Sequence, residues 1–151
     1  MVFKLKKLFK FIICILLVIA LSGCGNKDAL NKDTFYTELT NLGFGVMDVT
    51  SQIEDKNIKT IYTANNGKYQ FEFYIFDKKE NALAAYKSNR DYLKQKKGKE
   101  KETKKESYNK FTSTLDNEYS VVVRKDDTLI FASINEEFKN DIEKVLSKIG
   151  Y

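Results

Sequence analysis

Three features of the chain predict an α+β domain built on an antiparallel sheet with helices packed against it. Runs rich in β-branched and aromatic residues arrive in consecutive pairs around short turns, most clearly at Asn65-Asn66-Gly67. Three other stretches repeat their apolar residues at helical spacing. The two kinds of segment alternate in blocks, helix, three strands, helix, three strands, helix, which favours hairpins over parallel crossovers. The expected sheet has about five to six strands in the order α-βββ-α-βββ-α. It has six if Phe44–Thr50 joins it; the alternative is a single sheet of four or five strands with that segment in coil.

In chain order, the first helix begins near Asp33, a residue type that caps helices. Phe35, Leu39 and Leu42 fall at i, i+4, i+7, and Gly43 supplies a stop. Phe44 to Thr50 (FGVMDVT) reads as a short strand and Ser51 to Asn57 as a polar loop. Ile58–Ala64 and Lys68–Phe76 form a hairpin across Asn65-Asn66-Gly67, because Asn and Gly accept positive φ. Tyr69, Phe71, Phe73 and Ile75 share one face of the second strand, while Gln70 and Glu72 point the other way.

Asp77, with Glu80 three residues on, forms a capping-box pattern. The helix it opens runs from about Lys78 to Lys96, with Ala82, Ala85, Tyr86, Asn89 and Leu93 at helical spacing. Gly98 to Ser107 (GKEKETKKES) has no apolar residue and is expected to be a mobile loop. Tyr108–Leu115, Tyr119–Lys125 and Thr128–Ile134 are three further strands, turned at Asp116-Asn117 and Asp126-Asp127. Asn135 caps the last helix, and Glu136 and Glu137 suit its dipole. Phe138, Ile142, Val145 and Ile149 mark its buried stripe. The two helix-plus-three-strand halves have the outline of a duplication, with no residue-level repeat behind it.

The N-terminal segment is different in kind. Lys4, Lys6, Lys7 and Lys10 precede an apolar run from Phe11 to Leu21, with no acid among them. The run is too short for a comfortable membrane span, which needs about 20 apolar residues. A basic start, a short apolar run and a small-residue zone make a secretory signal. Its ending, Leu21-Ser22-Gly23-Cys24, resembles the lipobox of bacterial lipoproteins, Leu-(Ala/Ser)-(Gly/Ala)-Cys, at every position. The resemblance covers residues 1–24. It implies that the Cys24 thiol takes a diacylglyceryl group as a thioether and that signal peptidase II cuts between Gly23 and Cys24. Two acyl chains, at about 0.8 kcal/mol per buried CH₂, anchor a protein stably where one does not. The chain then divides into a signal peptide (residues 1–23), a tether (24–30) and one α+β domain (31–151). The location implied is the extracytoplasmic face of the cell membrane. The tether can hold the domain no more than about 20 Å from the lipid. In general style the mature part is similar to small lipoproteins of Gram-positive bacteria, a likeness that carries no ligand with it.

Composition then excludes several chemistries. Four of the 26 Lys and Arg residues leave with the signal, so 22 face 21 Asp and Glu, and the formal charge of +5 is no argument for nucleic acid. Cys14 leaves too, and Cys24 is acylated, so no thiol remains for a disulfide. The chain has no histidine, which removes His-based zinc sites and Ser-His or Cys-His nucleophile systems. No catalytic, cofactor or metal residue is assigned, and no enzyme activity is expected.

Four sets of residues invite a function. Lys94, Lys96, Lys97, Lys99, Lys101, Lys104 and Lys105 form a basic run, and Lys87 to Lys110 holds ten basic against four acidic residues. Such a run can meet an anionic surface at roughly 1 kcal/mol per residue, screened by salt. Interspersed glutamates weaken the patch and favour a solvated loop and helix end instead. Asp48, Glu54, Asp55, Asp126 and Asp127 are the carboxylates for acid–base or cation chemistry, but none sits in a D-x-D-x-D-G loop. Ser120, Ser133 and Ser88 are the serines weighed for a Ser-Lys pair. Tyr62, Tyr69, Tyr74 and Tyr119 would make a sugar or peptide platform if they faced outward together. Phe71, Phe73, Phe111, Phe131 and Phe138 belong to the core.

The function expected is a membrane-anchored binding or accessory module of the cell envelope, for an envelope protein or polymer. The alternatives are an envelope enzyme using carboxylate or Ser-Lys chemistry, and an adaptor meeting anionic surfaces through residues 94–105.

Overall fold

The computed structural model describes residues 30–151. The expected signal peptide, Cys24 and most of the tether lie outside the described residues. Three helices, α1 (Lys32–Asn41), α2 (Lys79–Gln95) and α3 (Lys139–Lys148), flank one antiparallel sheet of seven strands. The strands are β1 (Gly45–Asp48), β2 (Ile58–Asn65), β3 (Gln70–Phe76), β4 (Lys99–Lys104), β5 (Tyr108–Leu115), β6 (Glu118–Lys125) and β7 (Thr128–Asn135). The α+β class therefore stands, but the strand count and order do not.

The additional strand, β4, occupies the stretch whose composition suggested a mobile loop. An edge strand needs no apolar face, and β4 is exposed along its length. A ladder to β5, from Lys99↔Thr114 to Lys104↔Asn109, holds it. The element order is thus α-βββ-α-ββββ-α. In space the strands run β1-β2-β3-β7-β6-β5-β4. Thr128–Asn135 ends the second meander, β4-β5-β6-β7, and its free edge pairs with β3, which joins the two halves in one sheet.

Local chemistry explains most boundaries. Asn31, not Asp33, caps α1, with its Oδ1 accepting from Thr34 N at 2.9 Å. Asp77 does not cap α2: it accepts from Asn81 Nδ2 at 2.6 Å, and Lys78 at the cap makes no side-chain bond. Asn135 accepts from Glu137 N at 3.0 Å, and a 3₁₀ turn (Glu136–Phe138) leads into α3. Gly67 turns the first hairpin at φ 81°. Asp116 and Asp126 turn two others at φ 51° and 52°, a conformation Asp tolerates better than most residues.

Both sheet faces are covered, by different helices. Phe35 and Leu39 of α1 and Ile142 and Leu146 of α3 pack on Tyr62, Phe71, Phe73, Val121 and Ile130. The Phe35 ring stacks on Phe73 at 4.0 Å and meets the Phe71 ring edge-on at 6.2 Å. On the other face, Ala82, Tyr86 and Leu93 of α2 cover Phe76, Phe111, Val122 and Leu129. Phe71, Phe73 and Phe111 are fully buried, whereas Phe131 and Phe138 are only partly so.

Candidate functional site

On the face shared by α1 and α3, β4 and β5 carry the sheet outward beside α3. The result is a groove of about 370 Å³ with a strand floor and a helix wall. Lys99, Lys101 and Thr103 of β4 and Lys110, Thr112 and Thr114 of β5 form the floor. Glu136, Lys139 and Glu143 line the wall, with Tyr119 at its foot.

The register gives the floor a pattern. Lys99 lies opposite Thr114, Lys101 opposite Thr112, and Lys110 opposite Thr103. Each cross-strand pair is one ammonium and one hydroxyl. Residues two apart on a strand share a face, so the pairs recur at about 6.7 Å along the groove.

One carboxylate of the wall is already engaged. Glu143 accepts from Lys110 Nζ at 2.6 Å and from the Tyr119 hydroxyl. Burial, together with the bond to Glu143, pushes the Tyr119 phenol well above its ordinary pKa, so it remains a donor. Lys139 Nζ stands 5.2 Å from the centre of the Tyr119 ring, within cation–π range. Lys99 and Lys101 make no ion pair among the described residues.

The basic run is therefore divided by the structure. Period-two alternation sends Lys99 and Lys101 into the groove and Glu102 and Lys104 to the α2 face. There Glu102 gathers Tyr86 (3.2 Å), Lys104 (3.3 Å), Arg90 (3.4 Å) and Lys94 (3.5 Å). Burial pushes the Glu102 carboxyl up, but the hydrogen bond from Lys104 and the charges of Lys104 and Lys94 outweigh it and hold the group below its ordinary value. Lys96 pairs with Glu118 at 2.8 Å. Lys97 occupies a left-handed turn at φ 58°, and Lys105 turns the chain between β4 and β5. Of the seven lysines singled out in the sequence, two serve the groove. Lys110, Lys139 and Glu143 were not singled out. The alternation of Lys110, Thr112 and Thr114 with Asn109, Phe111 and Ser113 was the signal for a polar face on β5.

On the α2 face a buried guanidinium fixes the same hairpin. Arg124 Nε donates to Asn109 Oδ1 at 2.9 Å, and its terminal nitrogens donate to Glu106 O at 2.8 Å and Asp126 O at 3.0 Å. Burial lowers its pKa, with Asp126 opposing.

The other sets are dispersed. Asp48 accepts from Thr50 N, and Asp55 from the backbone and side chain of Asn57, each at 2.9 Å. Asp126 pairs with Lys79 at 2.7 Å, while Glu54 is exposed. Asp55 and Glu72 line a cleft of about 290 Å³ beside α2, but Asp55 is exposed and Glu72 accepts from Tyr74. Ser120 and Ser133 bond each other at 2.9 Å with Glu118 beside Ser120, and Ser88 is exposed on α2. Tyr62, Tyr69 and Tyr119 are buried on the α1/α3 face and Tyr74 lies on the other, so they form no common row. Among the described residues no group of three His, Cys, Asp or Glu is placed to hold a metal, and no helix is long and apolar enough to cross a membrane.

No family model matches the chain, and no curated protein matches it. Among solved structures, a GTP-binding regulator from Thermotoga maritima is similar, at 13% identity and a TM-score of 0.54. The similarity covers 82% of this chain and 89% of that one. At this identity the likeness is one of fold: the α+β architecture exists elsewhere with almost entirely different side chains.

Proposed function

We propose that the chain is a lipid-anchored, extracytoplasmic binding module of the cell envelope, held at the membrane through Cys24 and binding an anionic envelope component in the groove beside α3. The lipobox resemblance at Leu21-Ser22-Gly23-Cys24 supports the anchor. One structural observation carries the binding role. Lys99 and Lys101 project, without acidic partners, onto a concave floor where each lysine faces a threonine. A solvated loop would not aim its charges in this way, and charge combined with hydroxyl donors suits an anionic, oxygen-rich ligand. The guanine nucleotide belongs to the structural neighbour: this chain has no G-x-x-x-x-G-K-[ST] stretch to cradle phosphates.

The anchor is tested by fractionating bacteria that produce the full chain. Wild type is expected in the membrane pellet, released by detergent and not by salt, with an N-terminal diacylglyceryl cysteine by mass spectrometry. Cys24→Ser should stay unprocessed and unacylated. A native protein beginning at Met1, or a Cys24→Ser protein of matching processing and detergent-only release, refutes the anchor.

A further inference from the structure

We infer that the groove takes a linear polyol phosphate, laid along β4 with successive phosphodiesters over Lys99 and Lys101. This deepens the envelope-binding role proposed above. The floor repeats one ammonium and one hydroxyl at about 6.7 Å. An extended three-carbon polyol phosphate repeats at close to the same interval, since six backbone bonds of about 1.5 Å advance roughly 1.2 Å each. Each repeat of such a polymer offers one charge and one free hydroxyl. Each step of the floor offers one cation and one threonine.

The acids in the groove set the polymer's path. Glu143 is already engaged by Lys110 and Tyr119, and Glu136 lies on the α3 side. The open cations are Lys99 and Lys101 on the floor, with Lys139 above Tyr119. A chain lying toward the β4 edge meets Lys99 and Lys101 and keeps clear of the α3 carboxylates, beside which Lys139 stands.

Shape and chemistry disfavour other polyanions. A bilayer presents a plane, which cannot enter a floor walled by α3. A single-stranded nucleic acid gains much of its affinity by stacking bases on aromatic rings. The one aromatic lining residue, Tyr119, is 2% exposed and has Lys139 standing over it.

The test is a titration of the full chain in neutral detergent with poly(glycerol phosphate) of defined length, repeated over a range of salt. Two phosphate contacts at about −0.7 each predict a log–log salt slope near −1.4. Lys99→Gln/Lys101→Gln should weaken binding about tenfold or more and bring the slope close to zero. Lys56→Gln/Lys59→Gln makes the same charge change on exposed residues off the groove and should bind within about twofold of wild type. Lys99→Arg/Lys101→Arg retains the charges and should bind as wild type does, which separates loss of charge from loss of fold. Phosphatidylglycerol vesicles and oligothymidylate of matched charge should both bind more weakly than the polymer. Equal losses in the two glutamine pairs overturn the proposal, as does tighter binding of vesicles or oligothymidylate. The Cys24→Ser chain, which keeps Lys4, Lys6, Lys7 and Lys10, is compared in the same titration with its own Lys99→Gln/Lys101→Gln variant, so failure of the anchor and failure of polymer binding are read separately.

Discussion

Replacing Arg124 with methionine tests whether a buried cation on one face of the sheet holds the groove on the other. The side chain is 3% exposed, and its three bonds tie together β5, the β4–β5 turn and the β6–β7 turn. Methionine keeps much of the stem volume and removes every donor. Two effects then oppose each other. The fold no longer buries a guanidinium without a carboxylate in ion-pair contact, which favours the variant. Three acceptors lose charged donors, each worth about 1.5–3 kcal/mol when made. Glu106 O and Asp126 O lie in turns that water can reach, so most of their loss is recovered. Asn109 is 8% exposed, and its Oδ1 is left unsatisfied.

The net expectation is a destabilisation of about 2–3 kcal/mol, or a fall in Tm of about 6–12 °C for a domain of this size. Circular dichroism melts measure the global effect, and amide exchange measures the local one. Exchange in Lys99–Lys104 should accelerate more than exchange in β2 and β3, because the turn at Glu106 is what Arg124 releases. Pairing Arg124→Met with Asn109→Leu should cost less than the sum of the single changes, since the two share a bond. A Tm within about 2 °C of wild type, or unchanged exchange in β4, would show that the ladder alone positions the strand.

Two further outcomes follow from the packing. Gly98→Ala should destabilise by about 1–3 kcal/mol in chemical denaturation, because the added Cβ would run into Ser113 Oγ and lie 2.8 Å from the Thr114 backbone oxygen; an unchanged midpoint would mean that the entry to β4 shifts freely. Burial raises the phenol pKa of Tyr74, Tyr86, Tyr119 and Tyr151. A raised folded-state pKa stabilises fully below the unfolded value near pH 10 and is lost as pH climbs beyond it, so phenolate absorbance from these residues should appear together with loss of the circular dichroism signal; their titration near pH 10 with the fold intact would contradict the burial described.

Much of the fold was readable because it depends on local signals. The Asn65-Asn66-Gly67 turn, the Ala82–Tyr86–Leu93 stripe and the Asn135 cap act within a few residues of themselves. β4 was missed because absence of apolar residues was taken as absence of structure. Its charges alternate, Lys99, Glu100, Lys101, Glu102, and that period of two is a strand signal when neither face has to enter a core. Lysines on an edge strand also block pairing with another chain, so this composition suits the position. The β6–β7 hairpin was readable from its turn, but the pairing of β7 with β3 was beyond local reading, because it depends on which strand edges remain open after both meanders form. The groove was half legible for the same reason. Lys99 and Lys101 stood out, but Lys110 joins them through strand register, and Lys139 and Glu143 only through the packing of α3.

The same register makes β4 serve two purposes that would conflict on a loop. A polyanion-binding surface gains from lysines that stay unpaired, yet unpaired lysines hold nothing in place. On β4 the two demands fall on opposite faces, with Glu102 pinning the strand to α2 while Lys99 and Lys101 stay open. The geometry also bounds where the groove can act. Leu30, at the start of the domain, packs into the α1/α3 core, on the same sheet face as the groove. With a tether of about 20 Å entering on that face, the proposed anchor on Cys24 would keep the domain, and the groove with it, near the membrane.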